Sequence, residues 1–157
     1  MDVGRPAEDA MENDLKDGLT ETVIVERKFA ADGGSVYDGF LDPLTAPKFL
    51  FATPAGTMVR AEMDAQVGGK YEIVERRGGK EVLHEGEYLE LVRPSKIVFT
   101  FRVPAFSAQT STVQVDVIPI GEGCEVTLTH TGVPVEYVEG ARGEWERILA
   151  AAAKVLA

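Results

Sequence analysis

QVGGKYEIVERRGGKEVLHEGEYLELVRPSKIVFTF, residues 66–101, decides the fold of this chain. It divides into three runs of alternating apolar residues, separated by Gly78-Gly79 and by Arg93-Pro94-Ser95. A period of two marks a strand with one buried face. Paired glycines, or a proline, between such runs are hairpin chemistry. The stretch therefore predicts three successive strands. Their short connections favour antiparallel neighbours over parallel crossovers.

Working outward, the same pattern predicts strands at Thr20–Phe29, Met58–Gln66, Lys70–Arg76, Glu81–Leu91, Ile97–Val103, Thr110–Pro119 and Cys124–Thr131. Alternation sorts their side chains onto faces. Tyr71 and Ile73 share one face. Val82, His84, Gly86 and Tyr88 share another, with Leu83, Leu89 and Leu91 opposite. Ile97, Phe99 and Phe101 align, as do Val113, Val115 and Val117. So do Cys124, Val126, Leu128 and His130. In the first strand Val23, Val25 and Phe29 fall on one side together with Arg27, and an inward arginine would need a carboxylate partner. Gly86 lies mid-strand, where a glycine marks a bend or a close approach. It is read as the point where the sheet curls.

Gly33 and Gly34 end the first strand. Ser35 is expected to cap a short helix over Val36–Leu41, which Asp42-Pro43 stops. A second short helical piece is expected over Leu44–Leu50, although it contains Pro47. From Val135 the period changes. Val138, Ala141, Trp145, Ile148, Leu149, Ala152 and Leu156 recur at spacings of three and four, with charged residues between them. That is one long amphipathic helix, with weak points at Gly140 and Gly143. Its apolar stripe must be buried, and the concave face of the sheet is the surface large enough to bury it. The class is α+β: a curved antiparallel sheet closed by a C-terminal helix.

The bulk properties narrow the function. The chain has 157 residues, 45% hydrophobic and 27% charged, which suits a single domain over residues 19–157. Residues 1–18 carry six acids against Arg5 and Lys16, and are read as a disordered acidic tail. The formal net charge of -10 argues against nucleic acid and against anionic membrane surfaces. The basic residues Arg76, Arg77 and Lys80 cluster, but they flank a turn and read as a solvated hairpin tip. No apolar run approaches the roughly 20 residues of a membrane span. No signal-peptide core opens the chain. The single cysteine, Cys124, allows no internal disulfide and fits a reducing cytoplasm. Its place in a strand makes it a small buried hydrophobe.

Several segments together resemble the activator-of-Hsp90-ATPase-homologue group of the START/Bet v 1-like superfamily. They are ERKFAA (Glu26–Ala31), VYDGFLDP (Val36–Pro43), VGGKYEI (Val67–Ile73), HEGEYLELVRPSKIVFTF (His84–Phe101), CEVTLTHTGVP (Cys124–Pro134) and the helix carrying Trp145. The resemblance runs from about Glu21 to Leu156. It implies the helix-grip fold, with two short helices after the first strand. It also implies a space between sheet and helix that commonly holds apolar or amphipathic small molecules; some members are cyclases or hydrolases. This chain departs from the family at two points. Phe49 and Phe51 stand where a tryptophan is frequent, and Gly143-Glu144-Trp145 replaces a direct Gly-Trp pair. Both are expected at the mouth of the cavity.

The candidate lining follows from these faces. Tyr37, Phe40, Tyr71 and Tyr88 would line the space, as would Phe99, Phe101, Trp145 and Leu149. Apolar walls with a few polar tips describe a small-molecule pocket, but the same side chains could instead pack solidly and leave no cavity, and for any one of them core packing is the more common role. His84 and His130 face inward. They would orient a polar group of a ligand, act as acid and base, or be bonded to backbone and neighbours. Glu75, Glu85, Glu87 and Glu90 are expected mostly on the wet face or in cross-strand pairs. No HxH or HExxH pattern points to a metal, and no GxGxxG or P-loop spacing points to a phosphate. The sequence thus predicts a binding protein for a small apolar or amphipathic molecule, without cofactor, acting as a monomer or homodimer. The alternatives are an enzyme of the same fold using His84 or His130, and a protein-interaction role like that of the family's namesake.

Overall fold

The computed structural model describes residues 19–157; the expected tail at 1–18 lies outside them. The elements are β1 (Thr20–Phe29), α1 (Gly33–Leu41), β2 (Thr57–Met63), β3 (Lys70–Arg77), β4 (Lys80–Val92), β5 (Lys96–Phe101), β6 (Ser111–Ile120), β7 (Gly123–Pro134) and α2 (Val138–Val155). The seven strands form one antiparallel sheet in the order β1-β7-β6-β5-β4-β3-β2. From β2 to β7 the chain is a meander. β1 closes it by pairing with β7, and α2 packs mainly across β1 and β7.

The hairpin between β3 and β4 shows how sequence dictates this path. Arg77 pairs with Lys80 across Gly78 and Gly79, whose φ values are +55° and +82°. Two successive residues with positive φ are what a two-residue hairpin matching the strand twist needs, and glycine adopts them without a Cβ clash. In the middle of β4, Gly86 passes so close to β5 that an added Cβ would lie 1.8 Å from the Thr100 carbonyl oxygen. Here the ladder changes its bonding. The Glu87 N–H donates to Thr100 Oγ1 at 2.8 Å, and the Tyr71 hydroxyl donates to the Thr100 carbonyl at 2.8 Å.

Several local expectations are corrected. Asp32, not Ser35, caps α1: its carboxylate accepts from the Ser35 N–H at 3.1 Å and from the Ser35 hydroxyl at 2.7 Å. The second helical piece shrinks to one 3-10 turn, Ala46–Lys48, because Pro47 supplies no N–H to continue it. Leu91 packs against the core, since a register shift between Tyr88 and Glu90 brings it opposite the inward Ile97. Arg27 is exposed and needs no buried carboxylate. Gly140 and Gly143 do not interrupt α2.

The core fills the space between sheet and helices. Val113, Val115 and Val117 from β6 and Val126 and Leu128 from β7 are buried in one cluster with Trp145, Ile148, Leu149 and Ala152 from α2. On α1, Val36, Tyr37, Gly39 and Phe40 are buried, and the missing Cβ of Gly39 makes room for Leu156. Cys124 is 1% exposed, and burial pushes its thiol pKa up, so it is an inert core residue. Among the described residues, no helix is long and apolar enough to cross a membrane.

Candidate ligand site

The inner face of the sheet carries the expected aromatic residues, in two adjoining groups. Phe40, Tyr71, Tyr88 and Phe99 surround a void of about 10 Å³, together with Leu41, Leu50 and Ile97. That volume is enough for about one water molecule. His84, Phe101, His130 and Trp145 form the second group. Tyr37 and Leu149 are buried but do not line the void. Leu149 instead borders an open groove of about 370 Å³ between β1 and α2, with Ile24, Val25, Glu26, Arg27 and Glu146.

Phe51 joins the two groups. Its ring stacks on His84 (4.6 Å between centroids, 7° between planes), Phe101 (5.0 Å, 18°) and Tyr71 (6.3 Å, 16°). It also meets Trp145 edge-on at 5.8 Å. Phe51 and Trp145 are each 3% exposed, so the two departures from the family pattern meet inside the core and not at a mouth.

Each histidine is held in one tautomer by a partner that can act in a single way. The Trp145 ring N–H donates only, and it reaches His130 Nδ1 at 2.9 Å. Nε2 of His130 therefore carries the hydrogen and donates to Ser111 Oγ at 2.7 Å. Ser111 passes its own hydrogen to the Phe101 carbonyl at 3.2 Å. Ser111 and His130 stand at nucleophile–base distance, but a protonated Nε2 cannot take the serine hydrogen. In a catalytic triad the third member accepts from Nδ1; here it donates. Burial pushes the His130 pKa down to about 4.

His84 is the mirror case. Its Nδ1 lies 3.2 Å from the Ile73 carbonyl, an acceptor, so Nδ1 carries the hydrogen. Its Nε2 accepts from Arg77 Nη2 at 3.3 Å. Burial lowers its pKa to about 4; the bond to Ile73 opposes the shift and the Arg77 charge adds to it. Both histidines are neutral and fully engaged.

Two charged residues of this face escaped the sequence reading. Glu75 is 1% exposed, and Arg77 turns inward to pair with it. The expected solvated tip holds for Arg76, which pairs with Glu81, but not for Arg77. Extending the alternation of Tyr71 and Ile73 by two more steps would have found both. Glu75 also accepts from the Thr53 N–H at 2.6 Å and from the Thr53 hydroxyl at 3.1 Å. Burial pushes its carboxyl pKa up, but the Thr53 and Arg77 hydrogen bonds outweigh this, and the pKa lies below the usual carboxylate value. The Tyr71 and Tyr88 hydroxyls, buried, have raised pKa values and stay neutral. The carboxylates Glu85, Glu87 and Glu90 are half-buried or exposed on the other face; Glu85 and Glu90 pair with Arg102 and Lys96. Among the described residues no cluster of histidine, cysteine and acids could hold a metal ion.

Sheet, helix and inward aromatic face together define a protein of the helix-grip class. The chain belongs to the family described as activator of Hsp90 ATPase homolog 1-like protein, which matches residues 30–157. Its fold is similar to that of protein CV1439 from Chromobacterium violaceum: TM-score 0.79, 27% identity, covering 86% of this chain and 96% of that one. It is also similar to NE0264 from Nitrosomonas europaea, at TM-score 0.74 and 17% identity, covering 86% and 93%. SA2116 from Staphylococcus aureus, a protein of unknown function, matches at TM-score 0.74 and 20% identity, covering 87% and 94%. The last two likenesses concern the fold alone. No curated protein matches the chain.

Proposed function

We propose that the protein binds a small apolar or amphipathic molecule between the inner face of the sheet and α2. The observation that carries this reading is the Glu75–Arg77–His84 group within an aromatic interior. Burying charge is costly, and a core built for stability alone gains more from apolar side chains of the same volume. Polar groups beside flat apolar walls suit a ligand with one polar end. The present void of about 10 Å³ means that ligand entry must displace side chains.

Binding is favoured over catalysis because neither histidine is free to move a proton. His130 offers Ser111 the wrong tautomer, and His84 has Arg77 at its one acceptor nitrogen. The protein would work as a monomer or homodimer in the cytoplasm, where the buried, unpaired Cys124 is at home.

A thermal-shift series with fatty acids, flavonoid-like compounds and polyketide-like acids tests the proposal. A ligand of the folded state raises the melting temperature in step with its concentration. A flat response across all three classes contradicts ligand binding.

A further inference from the structure

Among the described residues, Phe51 is the non-glycine residue with a left-handed backbone, φ +60°. A bulky side chain adopts that conformation only where its surroundings impose it. The surroundings here are a short segment wrapped around one carboxylate. Thr53 bonds Glu75 through both its N–H and its hydroxyl. The Gly56 N–H closes a turn onto the Thr53 carbonyl at 3.1 Å. A Cβ on Gly56 would lie 2.1 Å from Glu75 Oε2, so any side chain there would push the carboxylate away from Thr53. Arg77 Nη2 reaches the Phe51 carbonyl at 3.4 Å while its Nε holds Glu75.

We infer that the segment from Leu50 to Gly56 is a displaceable plug: Glu75 clasps it shut, and its release withdraws the Phe51 ring and opens a slot for a flat aromatic ring with a hydrogen-bonding edge. The inference rests on the ligand-binding reading for the use of the slot, but not for the existence of the clasp. Withdrawal exposes the faces of His84, Phe101 and Tyr71 to the incoming ring. It also frees one N–H of Arg77 Nη2 from the Phe51 carbonyl, while His84 Nε2 keeps its bond to the same nitrogen. The strained φ of Phe51 relaxes on opening, so strain favours release and the Glu75 bonds oppose it.

Hydrogen exchange on the whole chain tests the clasp. Glu75→Gln removes the charge that strengthens the Thr53 and Arg77 bonds. Amides of residues 50–56 are expected to exchange at least about tenfold faster in this variant, with Val126–His130 of β7 and Trp145–Ala152 of α2 unchanged. Thr53→Val removes the hydroxyl bonds and leaves Glu75 in place; it is expected to speed the same segment by a smaller factor. Exchange that is unaltered in both variants overturns the inference, as does a rise shared equally by β7 and α2 in both. If Glu75→Gln does not fold, Thr53→Val alone decides by the same criterion. For the slot, 1-naphthoic acid added to the wild type should speed exchange in residues 50–56. Stabilisation by naphthoate with that segment unchanged keeps the binding reading and overturns the plug.

Discussion

The ring N–H of Trp145 donates to Nδ1 of His130 across 2.9 Å, deep between α2 and β7. This contact ties the terminal helix to the sheet and sets the protonation pattern of Ser111 beyond it. Trp145→Phe leaves a buried acceptor without its donor, which costs about 1–3 kcal/mol, with a further contribution from the smaller ring. The loss should shrink when His130 is already replaced by Phe, because the orphaned acceptor is then gone. A double-mutant cycle by urea unfolding reads this coupling. A value near zero would mean that the hydrogen bond does not hold in solution.

Stability should fall as the pH is lowered from neutrality. Both histidine pKa values drop from about 6.5 unfolded to about 4 folded. Between those values the unfolded chain binds protons that the native state refuses, so the stability present above about pH 6.5 is lost progressively toward pH 4. At pH 5 the loss is about 2 kcal/mol per histidine. Glu75, with its lowered pKa, adds a further loss at more acid pH. Urea midpoints at pH 7 and pH 5 measure the slope, and His84→Gln or His130→Gln should each remove about half of it. An unchanged slope in both variants would show that the histidines are not buried neutral.

Gly86→Ala should be among the most damaging single changes. The added methyl meets the Thr100 carbonyl at 1.8 Å and the Tyr71 ring at 2.6 Å, so backbone must move. A loss of about 3 kcal/mol is expected, read by thermal or urea unfolding. A loss under about 1 kcal/mol would mean that β4 and β5 are not so close at this point.

Gly143→Ala should act in the opposite direction. Gly143 lies in α2 with nothing within 4 Å of where its Cβ would stand. Alanine there gains about 0.5–1 kcal/mol from helix propensity and from a less flexible unfolded chain. Calorimetry should show a melting point higher by a few degrees. A lower one would place the start of α2 elsewhere.

The fold was legible because its signals are local. The Gly78-Gly79 turn, the alternation in β5 to β7 and the three-and-four spacing around Trp145 each act within a few residues. The local misreadings have local causes too. Asp32 reaches one turn further than Ser35, and a single extra residue near Leu89 turns Leu91 inward. The site was less legible because its partners are distant in sequence. Thr53 and Glu75 are 22 residues apart, and Trp145 and His130 are 15 apart. Charge also misled: Glu75 and Arg77 look solvated in the sequence, and each lies inward because the other neutralises it. No pattern in residues 49–56 announces that Phe51 will turn back into the core. That placement depends on three rings and a carboxylate from other strands.

If the aromatic interior takes a ligand, Trp145 reports on it directly. It is the sole tryptophan and lies 5.8 Å from the Phe51 ring. Titration with 8-anilinonaphthalene-1-sulfonate, followed by tryptophan emission, should give saturable quenching at one probe per chain, with energy transfer to the bound dye. Dye binding that leaves Trp145 emission unchanged, or no saturable binding at all, would contradict a ligand site in this interior.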